Sequence, residues 1–283
     1  MNAARRSHDE QAARWNGPAG HAWVDLQEVL NGMFRPIEEL LTDTVAAEHP
    51  TRVLDVGCGT GALTRAVARR AGHCVGVDIS GPMIEEARAR AEREGVPASF
   101  VKADAQEYAF EPAAFDAVVS RFGVMFFSDP VRAFANLRST VRDGAGLWCV
   151  VWRGAEENPF MTTAERAAAP FLPELPERRP DEPGQFAFAD PERVHRVLTE
   201  SGWAGIDIRP VDTVCTLPEK DLVTYFSRLG PLGTVLPDAD ERTRAEIVEV
   251  VRPAFEPFVQ GEEVRYTAAC WTVSARAAGA KLS

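Results

Sequence analysis

The sequence predicts a doubly wound α/β domain, with helices ahead of it and a helical cap inserted in its C-terminal third. Three observations carry that expectation. Short apolar runs alternate with amphipathic helical patterns from residue 51 to 153. Those runs are almost continuously apolar, as in strands covered on both faces. The stretch "VLDVGCGTGALT", residues 53–64, sets three alternating glycines between the first run and the first helix.

The elements follow in order. Residues 1–50 read as helical around a break at "RWNGPAGHAW", and apolar residues from Leu26 to Leu41 recur at helical spacing. "RVLDV" is a short buried strand. "ALTRAVARRAG" is a helix that buries Leu63, Ala66, Val67 and Ala71, and Gly72 closes it. "HCVGVDI" is the second strand. The helix after it starts at Ser80 as cap, has Pro82 in its first turn, and ends at Gly95. "ASFVKAD" and "FDAVVS" are strands three and four. Asp129-Pro130 starts a helix that Asp143-Gly144 stops, and "GLWCVVW" is the fifth strand.

After Trp152 the rhythm changes. "NPFMTTAERAAAPF" reads as a helix. Residues 170–191 carry six prolines and form an irregular connection. "DPERVHRVLTESG" is a capped helix that leads into the strand "WAGIDIRPV". Two amphipathic helices fit residues 218–260, and "VRYTAACWTVSAR" is a long closing strand. The chain divides into an N-terminal helical lid segment (1–50), a Rossmann-like core (51–153) and a C-terminal part with connection, cap helices and closing strands (154–283).

Composition narrows the function classes. The 283 residues carry a formal net charge of -11, which disfavours nucleic acid as a partner. The five cysteines are scattered without a C-x-x-C pair, and the five histidines have no ligand spacing. The sequence therefore predicts a reducing compartment and no metal site. The N-terminus lacks the apolar stretch of a secretory signal, and no run of about 18 apolar residues exists to span a membrane. A cytoplasmic protein without membrane association is expected; its oligomeric state is not encoded legibly.

A glycine turn between a strand and a helix N-terminus exposes backbone N–H groups and the positive end of a helix dipole to a ligand. Gly57-x-Gly59-x-x-Ala62, with Asp78 about 20 residues on, satisfies the loose dinucleotide fingerprint. Asp55 argues otherwise. A carboxylate at the lip of the first strand repels a pyrophosphate but suits a cationic ligand. S-adenosylmethionine carries both an ammonium and a sulfonium.

The successive segments "LDVGCGTG", "GVDIS", "KADAQ" and "FDAVVSRFGVMFF" resemble the motifs of class I S-adenosylmethionine-dependent methyltransferases. The resemblance is firm over residues 51–153. It extends more loosely to bacterial small-molecule methyltransferases with a "WNGPAG..W" segment. It implies a seven-stranded sheet whose last strand is antiparallel. It also implies that Asp55, Gly57, Cys58, Gly59 and Gly61 form the cofactor turn and that Asp78 accepts from the ribose hydroxyls. Ile79 and Met83 would pack on adenine, and Asp104, Ala105 and Gln106 would meet its edge. Arg121, after strand four, would face the cofactor's methionine part or the acceptor. One departure stands out: about 50 residues separate the candidate sixth and seventh strands, where many relatives have a short hairpin.

The expected reaction is metal-independent methyl transfer to a small-molecule acceptor, with an aromatic or indole-like metabolite of specialised metabolism as the leading class. A protein or RNA substrate, or a nicotinamide-dependent oxidoreductase, is the alternative. Trp23, Phe122, Phe126, Trp152 and Tyr225 are candidates for an acceptor wall, and His21, Arg121 or Tyr225 for orienting the acceptor or taking its proton. Each has a plainer reading. His21 lies among tryptophans as a packing or surface residue, Arg121 pairs with a carboxylate, and Cys58 is small and buried with nothing to make it a thiolate.

Overall fold

In the computed structural model, residues 3–173, 175, 178–179 and 182–279 are described. Part of the proline-rich connection lies outside them. Three helices precede the sheet: α1 (Ala3–Asn16), α2 (Pro18–Asp25) and α3 (Gln27–Ala47). Leu30, Met33, Phe34, Ile37, Leu41 and Val45 recur at three- and four-residue intervals along α3, and all are buried. That stripe is what packs the helix against the core.

The Rossmann-like part alternates β1 (Arg52–Val56), α4 (Ala62–Ala71), β2 (His73–Asp78), α5 (Gly81–Glu94), β3 (Ala98–Lys102) and β4 (Phe115–Arg121). It continues through α6 (Pro130–Thr140) and β5 (Val141–Trp152). The predicted signals act as caps. Ser80 accepts from the Met83 amide and Asp129 from the Arg132 amide, while Gly95 ends α5 in a left-handed conformation. Beyond them come α7 (Pro159–Ala168), α8 (Pro191–Glu200), β6 (Trp203–Pro218), α9 (Leu222–Arg228), α10 (Leu232–Val235) and α11 (Glu241–Ala254). A two-residue β7 (Val259–Gln260) and the long β8 (Glu263–Ala277) close the chain.

The sheet order is β3-β2-β1-β4-β5-β8-β6, with β7 paired to β8 alone. β1 to β5 are parallel, and β8 runs antiparallel to both β5 and β6. The seven-stranded, mostly parallel sheet is therefore as expected. The strand order reverses between β1 and β4, and at such a switch point a crevice opens beyond the carboxyl ends of the strands.

Three boundaries differ from the sequence reading. Helix α6 stops at Thr140, and Asp143-Gly144 lies inside β5, because Val141 pairs with Phe115 and Ala145 is buried. Strand β6 continues to Pro218, since β8 outruns β5 and pairs with β6 from Trp203↔Ala277 to Pro218↔Glu263. The region between β6 and β7 holds three helices rather than two, the extra one being the four-residue α10. The outrunning β6–β8 arm and these helices form a roof at the carboxyl end of the sheet.

Candidate active site

The glycine turn follows β1. Gly57, Gly59 and Gly61 all have positive φ, at 66°, 55° and 75°, but only some of them are there for packing. A β carbon on Gly57 would lie 2.5 Å from Gly123 Cα, and one on Gly61 would lie 2.6 Å from the Phe100 ring. On Gly59 it would meet nothing closer than Met83 Sδ at 3.7 Å. The first and third glycines allow close packing, and the second leaves an open surface.

Asp78, at the end of β2, is buried with its carboxylate turned to this surface. Oδ2 accepts from the Gly59 amide at 2.8 Å, and Oδ1 accepts from the Ser80 amide at 2.9 Å. Burial raises its pKa, opposed by these backbone N–H groups. Asp55 is 1% exposed, and its Oδ2 accepts from Thr64 Oγ1 at 2.7 Å. Burial pushes its carboxyl up to about 7, against the lowering pull of the Thr64 hydrogen bond and the Arg121 guanidinium. Cys58 is buried, and burial raises its thiol well above the ordinary value, so it is no thiolate.

A cavity of about 850 Å³ opens beyond the carboxyl ends of β1, β2, β4 and β5. One end is walled by Gly57, Gly59, Asp78, Ile79, Met83, Asp104, Ala105 and Gln106. The side-chain oxygen of Gln106 accepts from the Asp129 amide at 2.8 Å, which ties the turn after β3 to the loop after β4. The other end is aromatic. Phe122 and Trp152 stack with centroids 4.5 Å apart and planes 8° apart, and Phe34 meets both edge-on. Phe160, Tyr225 and Phe255 line the far wall. Phe122 has φ +64°, a rare conformation for a bulky residue and one that clusters at functional sites. A smaller cavity of about 40 Å³ lies on the Asp55 side of the glycine turn, and Trp23, Arg121 and Phe122 border both.

The N-terminal helices cover this crevice. Asn16 donates to Ile79 O and accepts from the Gly81 amide, and Ser80 Oγ donates to Trp15 O at 2.6 Å. Trp15 packs edge-on against Trp23 and Phe126. On the opposite side, Arg228 of α9 donates to Asp25 of α2 at 2.6 Å.

The structure thus brings together every candidate cofactor residue around the two cavities except Gly61, which packs behind the turn. It also gathers Trp23, Phe122, Phe126, Trp152, Tyr225 and Arg121. His21 is a correction. It is exposed, outside both cavity walls, with Nδ1 against Gly17 O at 2.9 Å, because α2 turns its buried face, Gly20 and Ala22, inward. Tyr225 fits poorly as a proton acceptor: burial raises its phenol pKa, and its hydroxyl donates to Met161 Sδ at 3.5 Å. Gly123, Phe34 and Phe160 are wall residues the sequence did not single out. Gly123, between Phe122 and Val124, carried the one usable signal. Among the described residues, no group of three or more histidine, cysteine or acidic side chains could hold a metal ion, and no helix is long and apolar enough to cross a membrane.

Residues 53–144 match a family described as a methyltransferase domain. A demethylmenaquinone methyltransferase of Thermus thermophilus is 36% identical over 37% of this chain and 49% of its own length, so the chain spans about half of that relative. One from Renibacterium salmoninarum is 26% identical over 71% of this chain and 86% of its own. The aklanonic acid methyltransferase DauC of a Streptomyces species is 34% identical over 50% and 61%. The YcgJ protein from Bacillus subtilis shares the fold, with a TM-score of 0.57 at 16% identity, over 86% of this chain and 98% of that one. The glycine turn, the acid closing β2 and the antiparallel last strand agree with these matches: residues 53–144 carry a methyltransferase domain, and the chain is similar to class I S-adenosylmethionine-dependent methyltransferases.

Proposed function

We propose that the protein moves a methyl group from S-adenosylmethionine to a small, flat acceptor, an aromatic or indole-like metabolite of specialised metabolism. The carrying observation is the continuity of one cavity, polar and glycine-floored at one end, aromatic at the other. The methyltransferase relatives bearing the names of demethylmenaquinone and aklanonic acid support a small-molecule acceptor over protein or RNA.

The residues present fit the cofactor. Each Asp78 oxygen takes one backbone N–H, which leaves each an acceptor position for one hydroxyl of a vicinal diol. The open face of Gly59 admits a ligand at van der Waals distance. Asp55 supplies a buried acid for the ammonium. Ile79 and Met83 offer apolar surface for adenine, with Asp104, Ala105 and Gln106 at its edge.

S-adenosylmethionine supplies an electrophilic methyl carbon, and the protein's work is positioning and exclusion of water. The Phe122–Trp152 stack and Tyr225 hold a flat ring, while segment 1–50 acts as the lid and the roof of 154–283 closes the far side. With the Tyr225 phenol held protonated and His21 outside, the wall suits an acceptor acidic enough to shed its own proton.

The test is label transfer from methyl-labelled S-adenosylmethionine across phenols, indoles, amines and keto acids, beside calorimetry with S-adenosylhomocysteine and NAD. Label on a flat aromatic member is expected. Label confined to aliphatic amines, or to protein or RNA, overturns the acceptor class.

A further inference from the structure

Arg121 ends β4 at the neck between the two cavities and borders both. Its side chain is 13% exposed. The guanidinium lies 5.8 Å from the centroid of Phe34, beside the Phe122–Trp152 stack. The acid nearest it is Glu38 of α3, at 3.6 Å. That separation is too long for a charge-assisted hydrogen bond, which runs at about 2.7–2.9 Å. Among the described residues the guanidinium makes no hydrogen bond at all, and Nη1 is buried without a partner. The Nη1 end of the planar fork therefore holds buried N–H donors that the protein does not use.

Such an arrangement is costly as a purely structural device. A buried ion pair is tolerated when hydrogen bonds satisfy its donors, and here they do not. Arg65, by comparison, has a side chain 7% exposed and donates to both Glu94 and Thr60 O. A group that completes Arg121 would be an anionic acceptor for Nη1, arriving through one of the two cavities that the residue borders.

We infer that Arg121 is a carboxylate-binding residue for a bound ligand, with Glu38 as a weak placeholder in the free protein. This rests on the methyl-transfer reading given above. Two ligands can bring that chemistry: the amino-acid end of the cofactor, through the small cavity, or an aromatic acid acceptor, through the large one.

The experiment titrates the full chain calorimetrically with two matched pairs. S-adenosylhomocysteine is paired with 5′-methylthioadenosine, which lacks the amino-acid end. With S-adenosylhomocysteine at saturation, 2-naphthoate is paired with 2-naphthamide. Arg121→Met should weaken one carboxylate-bearing ligand at least tenfold and change its neutral counterpart less than threefold. The pair that responds identifies the source. Arg121→Lys should be intermediate, because a point charge replaces the fork. Glu38→Gln should tighten the same ligand several-fold by removing the competing acid. This readout also survives if Arg121→Met does not fold, and a structural ion pair would not produce it. Equal losses within both pairs, or no gain from Glu38→Gln, overturn the inference. If the unaltered chain binds neither nucleoside, the methyl-transfer reading fails instead.

Discussion

The Gly59 amide donates to Asp78 Oδ2 at 2.8 Å, so the turn after β1 and the end of β2 are one unit. Asp78→Ala removes the proposed ribose acceptor and also leaves the Gly59 and Ser80 amides unsatisfied. Affinity for S-adenosylhomocysteine should fall at least tenfold, from charge-assisted bonds together worth about 2–4 kcal/mol. The melting temperature should fall as well, because each orphaned amide costs about 1–3 kcal/mol. Calorimetry and thermal melts check the two effects separately. Unchanged affinity would remove Asp78 from the site.

The glycines of the turn should separate under substitution. Gly57→Ala drives a methyl into the Gly123 backbone, so the fold itself should suffer. Gly59→Ala meets no close neighbour, and its left-handed backbone costs about 1–2 kcal/mol. Its stability should drop modestly while S-adenosylhomocysteine affinity falls at least tenfold. A Gly59→Ala protein that binds normally shows that no ligand approaches there.

Asp55 gives the site a pH dependence. Its carboxyl is raised from 3.8 to about 7 in the folded state. The native chain therefore holds a proton that the unfolded chain has released, and this contribution to stability is lost as pH rises from about 4 through 7. Ligand binding runs the other way, since an ammonium prefers the ionised acid. Affinity for S-adenosylhomocysteine should climb as pH passes through about 7, and Asp55→Asn should flatten that climb. An unchanged profile in Asp55→Asn assigns the titration to another group.

The aromatic end should govern turnover without governing cofactor binding. Trp23 and Tyr225 are partly buried cavity residues, so Trp23→Ala and Tyr225→Ala should fold. Acceptor turnover should drop at least tenfold while S-adenosylhomocysteine affinity stays within threefold. Trp152→Ala is a poorer probe: Trp152 is 3% exposed and stacked on Phe122, and emptying such a site costs about 3–5 kcal/mol. Full turnover in both probe variants would move the acceptor elsewhere.

The parts of this site legible in the sequence are those fixed by short-range rules. A strand, a glycine turn and a helix lie together in residues 52–71, and the spacing to Asp78 follows from one helix and one strand. Contacts between distant segments left no such trace. Gly57 and Gly123 are in mutual backbone contact, yet nothing in their spacing along the sequence pairs them. Phe34 reads as one more apolar residue on a helical stripe, and only the docking of α3 sets it against Phe122. His21 misled because proximity to tryptophans in sequence says nothing of which helix face is turned outward. The end of α6 and the length of β6 were decided by strand pairing, which overrode the local Asp-Gly signal and extended the β6–β8 arm.

The N-terminal segment is fastened unequally at its two margins. Toward β2 it is held by hydrogen bonds through Asn16 and Trp15, and toward the roof by the exposed Asp25–Arg228 pair. An exposed ion pair is worth about 0–1 kcal/mol and is screened over about 10 Å at 0.1 M salt. The margin beside α9 should then part first, with ligand passing on that side while the Asn16 contacts hold. Ionic strength becomes a throttle: stopped-flow release of S-adenosylhomocysteine should quicken with added salt, and Asp25→Asn should be fast from the outset and indifferent to it.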